Sequence, residues 1–278
     1  ALQHACPPGV AVVVGYVDVN RTHAGKRLRN VASVILDGRV IFTQAKTLLP
    51  TYDVFDEARY FEPAPERSTF ELHGRRIGIA ICEDIWWESE REASTRYPVD
   101  PVQDLLDQGA SLILSPSASP YYAGKPRVRL SLLASIGKSS GVPVVYCNMV
   151  GGNDNLVFDG GSMVTGPSGD LVLRCASFQE DLGFVDTDRL PPATALDGDT
   201  DRELEQALVL GTRDYLAKTG FERVHLGLSG GIDSALVAVL AAKAVGPERV
   251  RCFSLPSRYS SEGSRSDAAE LCRRIGVR

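Results

Sequence analysis

The sequence lacks the long apolar runs and the clustered basic residues that are typical of membrane and nucleic-acid-binding proteins. Its longest apolar stretches, residues 9–17 and 235–242, are far shorter than the roughly 20 residues that cross a bilayer. Charges of both signs are interspersed, and the formal net charge is -5. Because a nucleic-acid-binding surface needs a concentrated positive field, we expect neither a nucleic-acid partner nor a membrane span.

Paired cysteines and targeting signals are also missing. The six cysteines are scattered singly, without a Cys-x-x-Cys arrangement, which argues against a disulfide scaffold and a structural zinc site. We therefore expect free thiols and a cytoplasmic location. The first residues lack the basic start and apolar core of a secretory signal. They also lack an initiator Met, so we expect the chain to be truncated.

Strand and helix patterns alternate over the first two thirds of the chain. β-Branched and other apolar runs predict buried strands at 12–19, 77–81, 111–114 and 143–146 and a helix at 128–140. Asp37-Gly38 and residues 167–170 each lie between apolar runs and predict two hairpins. This alternation indicates an α/β fold with a mixed sheet.

The pattern changes at residues 190–200, where proline, glycine and aspartate predict a linker. It divides the chain into a first domain at 1–189 and a second at 201–278. The second domain begins with an amphipathic helix predicted from Asp201 to Lys218. Residues 224–255 then predict a strand, a helix and a parallel strand, and a further helix is predicted at 264–275.

A glycine-rich loop, Ser229-Gly230-Gly231-Ile232-Asp233-Ser234, lies between the first strand and helix of this βαβ unit. Backbone N–H groups and the positive end of the helix converge there, and the serines add hydroxyl donors, so the loop predicts a phosphate site. Asp233 would repel phosphate, so we expect it to cap the helix or to hold Mg²⁺. The lysine and spacing of a Walker A loop are absent. A glycine-rich turn without a ligand is the alternative.

The loop resembles the pyrophosphate loop of the ATP pyrophosphatases, and the downstream segment, residues 253–261 with Pro-Ser-Arg-Tyr-Ser-Ser at its end, resembles that of the NAD synthetases. The resemblance implies that ATP is bound by the six loop residues and by Ser254 and Leu255. It also implies Mg²⁺ as a cofactor of this site. It implies that Arg258, Ser260 and Ser261 lie near the phosphates or deamido-NAD. Without the upstream loop, a solvated polar loop would be the simpler interpretation.

Cys82 ends a predicted buried strand in Arg76-Ile-Gly-Ile-Ala-Ile-Cys-Glu-Asp-Ile-Trp-Trp87, where a polar turn begins. A thiol becomes a good nucleophile only when a cation or base lowers its pKa or removes its proton. Lys46 also follows a predicted strand. Taken alone, Cys82 would be a small core residue and Lys46 a surface charge.

Together the two segments resemble the nitrilase superfamily, whose Glu-Lys-Cys triad hydrolyses amides, and in particular its glutaminase branch. The resemblance implies Cys82 as nucleophile and Lys46 as the cation that stabilises the oxyanion, with a backbone N–H from Glu83 or a neighbour. It places the general-base glutamate before residue 12, where we find no such segment. Glu57 and Glu83 are expected to support the catalytic residues rather than to replace that base.

The same resemblance implies that Tyr52, Ser117 and Ser119 bind glutamine and that residues 148–162 line the pocket, although plain loops explain these serines equally well. The implied fold is a nitrilase-like α-β-β-α sandwich followed by the start of an adenine-nucleotide α-hydrolase-like parallel-sheet domain.

The implied function is a glutamine-hydrolysing NAD synthetase with L-glutamine, ATP and deamido-NAD as substrates, assembled as a homo-oligomer when full-length. A hydrolase joined to a different ATP pyrophosphatase and a non-catalytic fragment remain the alternatives.

Overall fold

The structure is a computed structural model that describes residues 6–22, 24–87, 97–255 and 262–278. Its strands are β1 (Val12–Val19), β2 (Leu28–Leu36), β3 (Arg39–Ala45), β4 (Thr69–Leu72), β5 (Arg75–Ile79), β6 (Leu112–Ser117), β7 (Val144–Asn148), β8 (Val150–Asn153), β9 (Leu156–Asp159), β10 (Met163–Thr165), β11 (Leu171–Arg174), β12 (Val224–Gly227) and β13 (Val250–Phe253). Its helices are α1 (Glu57–Tyr60), α2 (Pro101–Asp107), α3 (Lys125–Ser140), α4 (Thr200–Thr219), α5 (Ile232–Val245) and α6 (Glu262–Ile275).

Strands β1, β2 and β3 form an antiparallel sheet. The predicted turn at Asp37-Gly38 joins β2 to β3, and both residues have positive φ, 47° and 74°, as a tight two-residue hairpin turn requires. The prediction that residues 12–19 form a buried strand was half wrong. They form a strand, but Tyr16, Val17 and Val19 are exposed. Because consecutive strand residues point to opposite faces, this end of the edge strand β1 is uncovered on both faces within the described residues.

A six-stranded mixed sheet carries the main core, in the order β11-β10-β7-β6-β5-β4 with β5, β6 and β7 parallel. On one face, Ile113 and Val144 pack with Leu105 of α2 and Leu133 of α3. The opposite face packs on the three-stranded sheet through buried apolar residues of β2, β4, β5 and β6. The result is a helix layer on two packed sheets, which is consistent with the predicted nitrilase-like sandwich and supplies three of its four layers within the described residues.

The predicted linker lies against the first domain instead of standing free. Residues 190–199 have no regular structure, yet the N–H of Thr194 donates to the carbonyl of Leu171 at 2.7 Å and Leu196 packs on the main core. Helix α4 follows at Thr200, where the carboxylate of Asp199 accepts N–H groups of its first turn. The helix ends before Gly220, which has a φ of 78°.

The last part of the chain is the predicted βαβ unit. Strands β12 and β13 pair in parallel, Val224 opposite Val250, with α5 connecting them. Helix α6 packs on both strands and on α5 through the apolar cluster that contains Leu228, Ala238 and Ala268. In the ranges that the structure describes, no helix combines the length and apolarity of a membrane-spanning segment.

Candidate functional site

Cys82 stands at the carboxyl end of β5, after the buried residues Ala80 and Ile81. It begins a short 3-10 turn, Cys82–Ile85, with a φ of 49°. The left-handed region is unfavourable for a residue with a side chain and is held by the surrounding structure when it occurs. The strand and the turn together therefore fix the thiol in a strained, defined position.

Lys46 directly follows β3, and its side chain is 1% exposed. Its Nζ donates to Oε1 of Glu57, at the start of α1, at 2.7 Å. Burial alone would lower the pKa of Lys46, but the negative charge of Cys82 when it is ionised, the negative charge of Glu57 and the hydrogen bond to Glu57 outweigh burial, so the pKa lies above its usual value. The lysine is therefore a buried cation at neutral pH.

Burial raises the pKa of the Cys82 thiol, while Lys46 and a hydrogen bond from the N–H of Ala118 oppose the rise without cancelling it. The resting thiol is thus largely protonated at neutral pH. Because only the thiolate is strongly nucleophilic, the site needs a base to take the proton as the sulfur reacts.

Asp84 joins the Lys46 segment to the Cys82 turn. Its Oδ1 accepts the N–H groups of Thr47 at 3.0 Å and Leu48 at 2.8 Å, and its Oδ2 accepts that of Ile81 at 3.0 Å. The side chain is 1% exposed. One buried carboxylate therefore fixes the ends of β3 and β5 relative to each other, a role that the sequence analysis missed.

Two cavities open beside Cys82. The larger, about 470 Å³, is also lined by Lys46, Glu57, Ser117 and Asn148. The smaller, about 130 Å³, is lined by Cys82, Tyr52, Phe55, Glu83, Trp86, Ser119, Tyr121, Lys125 and Leu156, among others. The structure thus brings Tyr52 and Ser119 to Cys82 in one cavity and Ser117 to Cys82 in the other.

The smaller cavity presents opposite charges. The carboxylate of Glu83 accepts hydrogen bonds from the hydroxyls of Tyr52 at 2.8 Å and Tyr97 at 3.1 Å. The Nζ of Lys125 lies 4.1 Å from the centre of the Trp86 ring, and both charged residues are buried. A carboxylate and an ammonium on one small cavity can accommodate the two charged ends of an amino acid.

Sequence reasoning missed Lys125, although the sequence held a signal. Lys125 stands six residues after Ser119 and is the first residue of α3, directly after the loop that carries Ser119. A lysine at the point where such a loop enters a helix is a candidate ligand for a carboxylate.

The loop that carries Ser119 is held from behind by a buried polar network. Asn148 Oδ1 accepts the N–H of Ser119 at 2.9 Å, and Arg129 Nη2 donates to the carbonyl of Ser119 at 2.9 Å. Arg129 Nη1 in turn pairs with Asp159 at 2.7 Å, with both side chains 1% exposed. Residues from β7, α3 and β9 therefore fix one wall of the site.

The glycine-rich loop is a second candidate site, at the start of α5. The hydroxyls of Ser229 and Ser234 lie 3.0 Å apart, and the N–H of Gly231 donates to Ser229 Oγ at 3.2 Å. Gly230 has a φ of 84°, and a Cβ there would lie 2.2 Å from the carbonyl oxygen of Ser264. Only glycine fits this close approach.

The suggestion that Asp233 caps this helix was wrong. The N-cap position belongs to Gly231, which has no side chain to bond, and Asp233 lies in the first turn. Ile232 is exposed beside it. Within the described ranges, no group of three or more His, Cys, Asp or Glu side chains could hold a metal ion by itself.

The other predicted nucleotide contacts divide into two sets. Ser254 and Leu255 directly follow β13 and are exposed, and β13 pairs with the strand that leads into the glycine-rich loop. Arg258, Ser260 and Ser261 lie outside the described residues.

A cysteine and a buried lysine at adjoining strand ends of an α/β sandwich are typical of thiol-dependent hydrolases of carbon–nitrogen bonds. The matched families agree with this class. The chain belongs to the carbon-nitrogen hydrolase family, which matches residues 3–190, and the NAD synthase family matches residues 204–278.

Known proteins resemble the chain over nearly its whole length. It is 42% identical to a glutamine-dependent NAD(+) synthetase from Synechocystis, over 99% of this chain and 51% of that protein. It is 39% identical to the structure of such a synthetase from Acinetobacter baumannii in complex with ADP, with a TM-score of 0.89, over 99% of this chain and 50% of that one. The chain thus spans about half the length of these relatives, and its predicted resemblance to them is confirmed.

The sandwich alone has further neighbours. An amidase of the nitrilase superfamily from Nesterenkonia is 24% identical, with a TM-score of 0.50, over 60% of this chain and 58% of that one. This likeness confirms the predicted nitrilase-like fold.

Proposed function

We propose that this chain carries the glutamine-hydrolysing site and the beginning of the nucleotide site of a glutamine-dependent NAD synthetase. The observation that carries the proposal is the placement of Cys82, buried Lys46 and an oppositely charged pair, Glu83 and Lys125, around adjoining cavities. In the same chain, a strand-loop-helix phosphate site follows at residues 229–234.

Glutamine fits the smaller cavity by charge and size. Its α-ammonium group would pair with Glu83, and its α-carboxylate would meet Lys125 and the Ser119 loop. Tyr52, already bonded to Glu83, would close the amino-acid end. The side-chain amide would then reach Cys82, which lines both cavities.

The chemistry follows from the two charges at the amide. The Cys82 sulfur attacks the amide carbon, and Lys46 stabilises the negative charge that develops on the oxygen. As this intermediate collapses and the carbon–nitrogen bond breaks, the proton given up by the thiol passes to the leaving nitrogen. Ammonia is released, and the remaining thioester is hydrolysed by water to glutamate and the free thiol. Glu57 keeps Lys46 charged and oriented through its 2.7 Å hydrogen bond.

The second site would use that ammonia. At the glycine-rich loop, N–H groups and the helix end would bind the phosphates of ATP, consistent with the ADP in the Acinetobacter relative. The carboxylate of deamido-NAD would attack the α-phosphate and release pyrophosphate, and ammonia would displace AMP to give NAD. Ser254, Leu255, Arg258, Ser260 and Ser261 remain the proposed contacts of the nucleotide substrates.

Mg²⁺ is compatible with this loop. Magnesium is commonly held by one or two carboxylates and the phosphates of a substrate, and Asp233 in the first turn of α5 is a suitable carboxylate. When bound, the ion would neutralise phosphate charge. Cytoplasmic location is a further proposal, supported by the six singly placed cysteines of the sequence. Homo-oligomeric assembly and the domain division at 1–189, 190–200 and 201–278 are proposals as well.

The test is Cys82→Ala in the full-length protein. Glutamine-driven NAD formation should disappear, while formation driven by added ammonia should continue at the unmodified rate. Cys175→Ala, which removes a thiol that lines neither of the two cavities, is the matched control and should retain both activities. Equal loss of both activities in a folded Cys82→Ala protein would refute the assignment of glutamine hydrolysis and NAD formation to separate sites. If the ATP-dependent reaction used an acceptor other than deamido-NAD, the second domain would belong to a different ATP pyrophosphatase.

A further inference from the structure

Most of helix α4, from residue 204 onward, lies within the part of the chain that matches the NAD synthase family, residues 204–278, but the helix packs against the hairpin β8–β9 of the hydrolase part. Asp214 Oδ2 accepts the N–H of Gly152 at 2.7 Å, and Lys218 Nζ donates to the carbonyl of Gly152 at 2.5 Å. One residue of the hairpin is therefore bonded through both backbone groups to the helix.

The contact is also close sterically. A Cβ at Gly152 would lie 3.1 Å from the Cα of Gly211, and a Cβ at Gly211 would lie 2.9 Å from a methyl group of Val157. Ala207 and Leu210 of the helix pack on the hairpin and on Phe178 as a small buried cluster. Glycines on both sides thus bring the helix and hairpin backbones together.

The hairpin supports the smaller cavity beside Cys82. The carbonyl of Val157 accepts the N–H of Tyr121 at 2.7 Å, and Tyr121 and Leu156 both line that cavity. At the end of the hairpin, Asp159 pairs with Arg129, which holds the carbonyl of Ser119. Two routes of direct contact therefore run from the hairpin to the cavity wall.

We propose that Asp214 is a positioning residue for the glutamine pocket, although it belongs to the synthetase part of the chain. By holding Gly152, it fixes the hairpin and, through the hairpin, the wall formed by Tyr121, Leu156 and Ser119. This inference rests on the proposed glutamine-hydrolysing function. Glutamine hydrolysis would then require helix α4, and a hydrolase part without it would bind glutamine poorly.

The experiment compares Asp214→Ala, Asp214→Asn and Thr212→Ala in the full-length protein. Losing one hydrogen bond of this kind corresponds to about a threefold to tenfold change in affinity. Asp214→Ala should raise the KM for glutamine by that factor and leave the KM for ammonia unchanged. Asp214→Asn retains an oxygen that can accept the Gly152 N–H and should recover most of the loss. Thr212 is exposed on the same helix, and its replacement should change neither constant.

Two alkylating probes separate positioning from general loosening. A diazoketone analogue of L-glutamine, which must occupy the amino-acid pocket, should label Cys82 more slowly in Asp214→Ala. Iodoacetamide, which lacks the amino-acid end, should label it at the unmodified rate. Equal slowing of both probes, or an unchanged KM for glutamine in Asp214→Ala, would overturn the proposal. If unmodified protein fails to use glutamine at all, the proposed function fails instead.

Discussion

Asp84 should control the relative placement of Lys46 and Cys82. Its replacement by alanine leaves three buried N–H groups without an acceptor. An unsatisfied buried donor costs about 1–3 kcal/mol, and water entering the vacated space would recover part of the total. We therefore expect Asp84→Ala to lower the free energy of unfolding by about 3–5 kcal/mol.

Asp84→Asn is the sharper variant because it preserves shape. An amide oxygen can still accept from Thr47 and Leu48, but the amide nitrogen would face the N–H of Ile81, donor against donor. We expect a loss of about 1–3 kcal/mol and a fall of about tenfold or more in kcat for glutamine hydrolysis by the full-length protein, since small displacements of reacting groups have large effects. Asp107→Asn, an exposed change, should alter stability by less than about 0.5 kcal/mol.

Urea unfolding and steady-state glutaminase assays measure these effects, and pH provides a third check. Burial raises the pKa of Asp84 from 3.8 to about 6. A raised folded-state pKa means that protonation stabilises the fold: this contribution is complete below about pH 4 and is lost as the pH rises through about 6. The stability difference between wild type and Asp84→Asn should therefore become smaller as the pH rises from about 4 to about 6. Unchanged kcat in Asp84→Asn, or equal stability of the Ala and Asn variants, would refute the reasoning.

Three other changes have clear expected outcomes. Lys46→Gln removes the cation that lowers the Cys82 pKa, so iodoacetamide should label Cys82 more slowly at neutral pH. The midpoint of the pH profile of the labelling rate should move upward, and an unmoved midpoint would contradict this. Arg129→Met leaves Asp159 as an uncompensated buried charge and should cost about 3–5 kcal/mol in urea unfolding, whereas adding Asp159→Leu should restore part of it. Gly230→Ala places a Cβ against the backbone of α6 and should weaken ATP binding, measured by calorimetry, without changing Cys82 alkylation.

The sequence contained enough to predict the layers and to nominate the candidate reacting residues. Apolar periodicity located the parallel strands of the central sheet, and the motifs around Cys82 and residues 229–234 indicated two candidate sites. Such patterns are local, because a strand end and the polar turn after it are consecutive residues.

Asp84 and Arg129 could not be assigned roles from sequence because their partners come from distant segments. Asp84 is bonded to Thr47 across 37 positions and Arg129 to Asp159 across 30. The exposure of β1 has a similar cause. Its β-branched residues predict a strand, but the burial of that strand depends on which other layers cover its two faces. The helix predicted from Asp201 was located correctly. Its packing on the β8–β9 hairpin could not be predicted, because helix propensity does not show that glycines on both elements allow their backbones to come close.

That packing affects how the protein can be dissected. A truncation at residue 200, where sequence alone would cut, removes α4 and uncovers Val150, Val157 and Phe178, which the helix buries or partly buries. The shortened protein would expose an apolar surface next to a β-hairpin that no helix covers any longer. Exposed apolar patches and uncovered strands favour aggregation. A protein shortened to the hydrolase part is therefore better ended after Gly220, where the left-handed cap ends the helix. A fusion partner or an engineered protease site belongs at the same position.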